Sequence, residues 1–147
     1  MIARGLAAGF VGTCALTVSQ RIEMAVTGRE PSDLPARVAE GVLRISLRGR
    51  RRSVAATAAH WVNNTGSGVG RAALGAAGLR GASALTGTFA LYLGGEVLLF
   101  RALGFGPSAL RPVDLIHAAV WASVTNAAYE LLERRVDGDV DVPLERA

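Results

Sequence analysis

The sequence predicts an all-α protein: a four-helix transmembrane bundle with a short amphipathic interfacial helix between spans one and two. Three observations lead there. Half of the 147 residues are hydrophobic and only 19% are charged, less charge than a soluble domain of this size carries. The apolar residues fall into four long runs, parted by arginine-rich or glycine- and proline-bearing segments. No run alternates apolar and polar residues as a half-buried strand would. A soluble helical bundle with a small-residue core is the competing reading, because every run contains some polar residues.

The first span covers about residues 3–27, with its most apolar stretch from Gly5 to Val18 behind Arg4. The second covers about 53–79, and its first part, Ser53 to Gly70, carries no charge. The third, about 82–104, is interrupted by Glu96 and Arg101. The fourth, about 113–134, lies between Pro112 and the Glu133-Arg134-Arg135 cluster. Each reaches the roughly 20 residues needed to cross a hydrocarbon core once polar residues are allowed at its ends. Together they form one membrane domain, residues 1–135. Residues 136–147 are an acidic tail expected to be unstructured, since Asp137-x-Asp139-x-Asp141 lacks the glycine and closing glutamate of a calcium loop.

Small residues recur in these spans. Gly5 and Gly9 form one GxxxG pair, Gly66 and Gly70 another, and such pairs let helix backbones approach closely in lipid. The same faces could carry a homo-oligomer or a larger membrane complex. The N-terminus also has the order of a signal peptide, but Val11-Gly12-Thr13-Cys14 is a poor lipobox and no A-x-A cleavage site follows. An uncleaved first helix is the better reading.

Between spans one and two lies the segment Gly28 to Arg52. Pro31-Ser32-Asp33 reads as a helix start, and Pro35 fits the first turn. Leu34, Val38, Val42 and Ile45 then recur at helical spacing, opposite Arg37, Glu40, Arg44 and Arg48. The expected element, about residues 34–47, lies on the membrane surface or packs as a connector on the bundle. The segment carries seven arginines, ending in Arg50-Arg51-Arg52. The positive-inside rule therefore places it in the cytoplasm and both termini outside, in a multi-pass membrane protein.

Five ionisable residues sit within the spans: Glu23, His60, Glu96, Asp114 and His117. Such groups cost several kcal/mol in lipid and usually face a partner in the bundle interior. At 1.5 Å rise per residue, measured from the arginine-loop face, Glu23 lies about 6 Å deep, His117 about 7 Å, His60 about 10 Å and Glu96 about 12 Å. Gln20, Asn63, Asn64 and Asp114 fall in the same slab. Asp114 and His117, three apart, share a helix face, and a carboxylate–histidine pair with carboxylates from neighbouring helices is how bundle metal sites are built. The five are therefore a candidate metal site, with a donor set that suits zinc, iron or manganese. With a single i, i+3 pair, a di-iron oxidase site is disfavoured. Haem ligation by His60 and His117 is a poorer fit, since few aromatics are available to line a pocket. A structural hydrogen-bond network is the plain alternative. Arg71 and Glu130 should meet near the opposite interface by ion pairing or snorkelling, with Asn126 as an interhelical donor.

Several function classes are disfavoured. The arginines flank apolar runs without aromatic stacking platforms, so no nucleic-acid partner is expected; the partner is the lipid bilayer. The single Cys14 provides no disulfide or CxxC motif. No GxSxG, HExxH, P-loop or kinase motif is present, and the glycines of Thr65-Gly66-Ser67-Gly68-Val69-Gly70 follow a helix, where close packing explains them better than phosphate binding. Catalytic residues are accordingly unassigned.

Thr17-Val18-Ser19-Gln20-Arg21-Ile22-Glu23-Met24, Thr27-Gly28-Arg29-Glu30-Pro31-Ser32, His60-Trp61 with the following glycine run, and Asp114-Leu115-Ile116-His117 occur in that order. Together they resemble the YagU-like group of small bacterial inner-membrane proteins, over roughly Gly5 to Glu133. That resemblance implies a helical inner-membrane protein, with a link to acid tolerance in one branch, and brings no catalytic residues. The expectation is a non-enzymatic membrane protein whose cluster binds a cation or relays protons. A metal-dependent membrane enzyme using the same residues and a structural accessory subunit of a larger complex are the alternatives.

Overall fold

The computed structural model describes residues 1–106 and 110–140, with side chains described as far as residue 135. Its five helices are α1 (Ile2–Thr27), α2 (Leu34–Leu43), α3 (Gly49–Ala76), α4 (Gly81–Ala102) and α5 (Pro112–Val140). No strand occurs among the described residues, so the fold is all-α. Four long helices occupy the four apolar runs. α1 and α4 are long and apolar enough to cross a membrane. α5 runs into the acidic segment as far as Val140; the rest of that tail, 141–147, lies outside the described residues.

The packing is inverted relative to a water-soluble bundle. On α1 the residues Gly5, Ala8, Gly9, Gly12, Thr13 and Leu16 are buried, a stripe of mostly small side chains at helical spacing. The other side of the same helix exposes Leu6, Phe10, Val18, Ile22 and Val26. Elsewhere Val62 is 73% exposed and Leu98 68%, while Thr13, Arg71 and Thr125 are 0% exposed. A helix apolar all round needs either a protein core or lipid about it. Here the core takes mostly small and polar residues around Leu16, Phe100, Trp121 and Tyr129, while many of the large aliphatic side chains face outward.

α1 is the central helix, packed on both α3 and α5. Its contact with α3 runs through Gly5, Gly9 and Gly68: a Cβ added at Gly5 would stand 2.7 Å from the Gly68 carbonyl oxygen, and one at Gly68 would stand 2.7 Å from the Gly9 Cα. Only glycine permits that approach. The second expected pair does not act in this way. Gly66 has open space around it and Gly70 only ordinary contact with Leu91, because the α3 face toward α1 carries Asn64, Gly68 and Ala72 instead.

α2 is shorter than the 34–47 element expected. It ends at Leu43, where Arg44 turns left-handed at φ 54°. Ile45 therefore falls off the apolar stripe, and both it and Val42 are exposed. The helix buries Ala36 and Ala39 and packs on α3, with Gly41 against Leu103. Leu34 and Val38 line a half-open cavity.

Candidate functional site

That cavity, about 130 Å³ in volume, lies at the end of the bundle nearest the 28–52 segment. All four long helices reach it. α1 brings Leu16 and Gln20; α3 brings His60, Asn63 and Asn64; α4 brings Tyr92 and Glu96; α5 brings Asp114 and His117. Arg29, Ser32, Leu34 and Val38 form its roof. The regular rise of antiparallel helices sets this level. Residues late in α1 and α4 and early in α3 and α5 meet because the chain reverses at each connection.

Four of the five candidate residues, His60, Glu96, Asp114 and His117, thus line one cavity. Their local partners differ. His60 is tied down at both ring nitrogens: Nε2 is 3.0 Å from the Thr17 hydroxyl, and Nδ1 is 3.4 Å from the Asn64 side-chain nitrogen. That side chain also donates to the His60 carbonyl at 2.6 Å and accepts from the Tyr92 hydroxyl at 2.5 Å. Asn63 donates to Glu96 Oε1 at 2.5 Å. Asp114 accepts from the Arg111 backbone N–H at 2.8 Å, closing the first turn of α5. The cavity wall thus carries the two carboxylates Glu96 and Asp114, together with Arg29 and Arg111.

His117 stands apart. It is 3% exposed, its Nδ1 is 2.9 Å from the Ser19 hydroxyl, and its Nε2 has no hydrogen-bond partner among the described residues. Buried imidazole nitrogens are normally satisfied. The nearest acid is Glu23, whose Oε2 is 3.9 Å away.

Glu23, the fifth candidate, does not line the cavity. The chain turns at Gly28, left-handed at φ 69° and bonded back to the Met24 carbonyl, which folds Arg29 onto the end of α1. Its guanidinium engages both carboxylate oxygens of Glu23. The bonded carboxylate holds the Arg29 guanidinium above its ordinary pKa. Glu23 is therefore neutralised by a loop arginine that the spacing argument did not single out.

Among the described residues, no three His, Cys, Asp or Glu side chains stand close enough together to hold a metal as placed. Four of the five candidates share a cavity, but not a common ligation point. Tyr92 and Arg29 are the wall residues that sequence reasoning missed. Tyr92 lies one turn before Glu96, a signal that could have found it; Arg29 depends on the left-handed turn at Gly28.

At the other end of the bundle, Arg71 and Glu130 form the expected ion pair at 3.6 Å. Arg71 is 0% exposed, so it does not snorkel. Asn126 accepts from Arg71 Nε at 2.7 Å rather than donating across the interface; its own amide donates along α5 to Glu130 at 3.3 Å. Comparison with protein families, characterised proteins and solved structures finds no match to this chain.

Proposed function

We propose that this chain is a small, non-enzymatic polytopic inner-membrane protein whose polar cavity binds a divalent cation. The observation that carries the reading is that His60, Glu96, Asp114 and His117, from three helices, line one cavity while His117 Nε2 lacks a partner among the described residues. Two carboxylates favour a cation, and a free imidazole nitrogen favours zinc, iron or manganese over calcium or magnesium. A cavity of about 130 Å³ holds an ion with a few waters, at about 30 Å³ each. His117, Glu96 and Asp114 are the proposed ligands; since no three such side chains among the described residues converge as placed, they would close on the ion by side-chain rotation or reach it through its waters. His60, bonded at both nitrogens, positions α1 against α3.

The membrane part of the proposal rests on the apolar exterior and polar interior, with four spans and the 28–52 segment cytoplasmic. Membership of the YagU-like group belongs to the same proposal, supported by the segments quoted above.

Metal analysis of protein purified in detergent tests the reading. One zinc, iron or manganese per chain, lost on His117→Ala or Glu96→Gln, is the expected result. Metal-free protein that takes up none of the three, and whose variants lose only stability, would instead make the cluster a structural network.

A further inference from the structure

Beyond the cavity, α5 points every fourth residue into the interior: His117, Trp121, Thr125 and Tyr129 are all buried. Twelve residues of helix make that stripe about 18 Å long. Polar atoms without hydrogen-bond partners among the described residues recur along it: His117 Nε2, Trp121 Nε1, Thr125 Oγ1 and, at the far end, Arg71 Nη1 and Nη2. Buried groups of this kind ordinarily hold water. Left open, the stripe would lead protons or ions through the bundle.

α1 narrows it at Gly12, where an added Cβ would stand 3.1 Å from the Trp121 carbonyl oxygen, without interrupting the row of polar atoms; Arg71 closes it. Its side chain occupies the core beyond. Its Nε is held by Asn126 at 2.7 Å, and its guanidinium lies 4.3 Å from the centre of the Tyr129 ring. Glu130 is the partly exposed member of the ion pair, at 23% against 0% for Arg71. The pair therefore turns its positive end inward. Arginine does not give up its proton in proteins, and a fixed arginine on a conduction path excludes protons and cations.

We propose that the cavity is a blind pocket, filled and emptied only from its Arg29 and Arg111 end, and that Arg71 seals the core behind it. The protein then holds a cation without passing it on. This rests on the cation-site reading and on the bundle lying in a membrane.

The full chain in lipid vesicles, given an external acid pulse and read by a trapped pH dye, tests the seal. Wild type and Arg71→Lys should match empty vesicles, and Arg71→Gln should leak at least about tenfold faster, equivalent to lowering a barrier by about 1.4 kcal/mol. A leaking wild type, or a folded Arg71→Gln as tight as wild type, overturns the proposal. A second measurement needs no change at Arg71. In a Trp61→Phe background, cobalt(II) outside the vesicles should quench Trp121, which stacks on the cavity residue Tyr92 at 4.3 Å. The quenched fraction should equal the fraction of chains whose arginine run 50–52 is open to external trypsin. Quenching of chains whose loop faces inward overturns one-sided access. No quenching from either face removes the cation site itself and leaves the flux comparison to decide the seal.

Discussion

His117 Nε2 and Glu23 Oε2 lie 3.9 Å apart, within reach of an ion pair but without a hydrogen bond. The reason is Arg29, which already holds both Glu23 oxygens. Glu23 is engaged by a loop residue, and the imidazole nitrogen it could have served has no hydrogen-bond partner among the described residues. That relationship divides the five candidate residues into one that closes the site and four that line it. Removing the arginine should therefore free Glu23 for His117. Arg29→Ala is expected to weaken cation binding at the cavity by at least about tenfold, as Glu23 moves onto His117 and takes its free nitrogen; titration calorimetry in detergent reads the change. Unchanged affinity would mean that Glu23 does not compete.

Charge and shape can be separated at Glu96. Glutamine in its place keeps an oxygen to accept the Asn63 bond of 2.5 Å and loses only the negative charge. Glu96→Gln should leave stability close to wild type, since the Asn63 bond is kept, and weaken binding of a divalent cation. Thermal unfolding beside binding isotherms checks both halves. A loss of stability with binding intact would mark Glu96 as a packing group.

Helix contacts are tested at two neighbouring glycines. Gly68→Val must push α1 away, since its Cβ would stand 2.7 Å from the Gly9 Cα, and overpacking of this kind costs about 1–3 kcal/mol. Gly66→Ala meets open space and should leave the unfolding midpoint at or slightly above wild type.

The buried arginine provides an independent check. Asn126→Leu leaves Arg71 Nε without its acceptor in a site that is 0% exposed. An unsatisfied buried donor costs about 1–3 kcal/mol, more when charged. Unfolding by denaturant should show that loss, whereas Ser123→Leu, at an exposed position on the same helix, should not.

Topology follows from the arginine loop. Reporter fusions at residue 147 should be active outside the cytoplasm and fusions within 44–52 inside it, because that loop holds the positive charge. Activity of both fusions on one side would contradict an even number of spans.

The level of the site was legible in the sequence, because helix rise is fixed. Counting from span ends put His60, Glu96 and His117 in one slab, and all three line one cavity. Their directions were not legible, because rotation about a helix axis is set by which small residues let neighbours approach. Gly68, not Gly66 or Gly70, fixes the α1–α3 contact, and with it the tethering of His60 to Thr17. Its distance to the span end makes Arg71 an interfacial group, yet Asn126, Tyr129 and Glu130 gather around it in the interior. Arg29 looked like one basic residue among seven, and only the left-handed turn at Gly28 folds it back.

The central claim is that His117 Nε2 accepts a cation inside the bundle. X-ray absorption at the metal edge of purified, zinc-loaded protein tests it most directly. A nitrogen and oxygen shell at about 2.0–2.2 Å is expected, with an imidazole contribution that disappears in His117→Ala. A zinc spectrum with no imidazole, or one unchanged by His117→Ala, would contradict it.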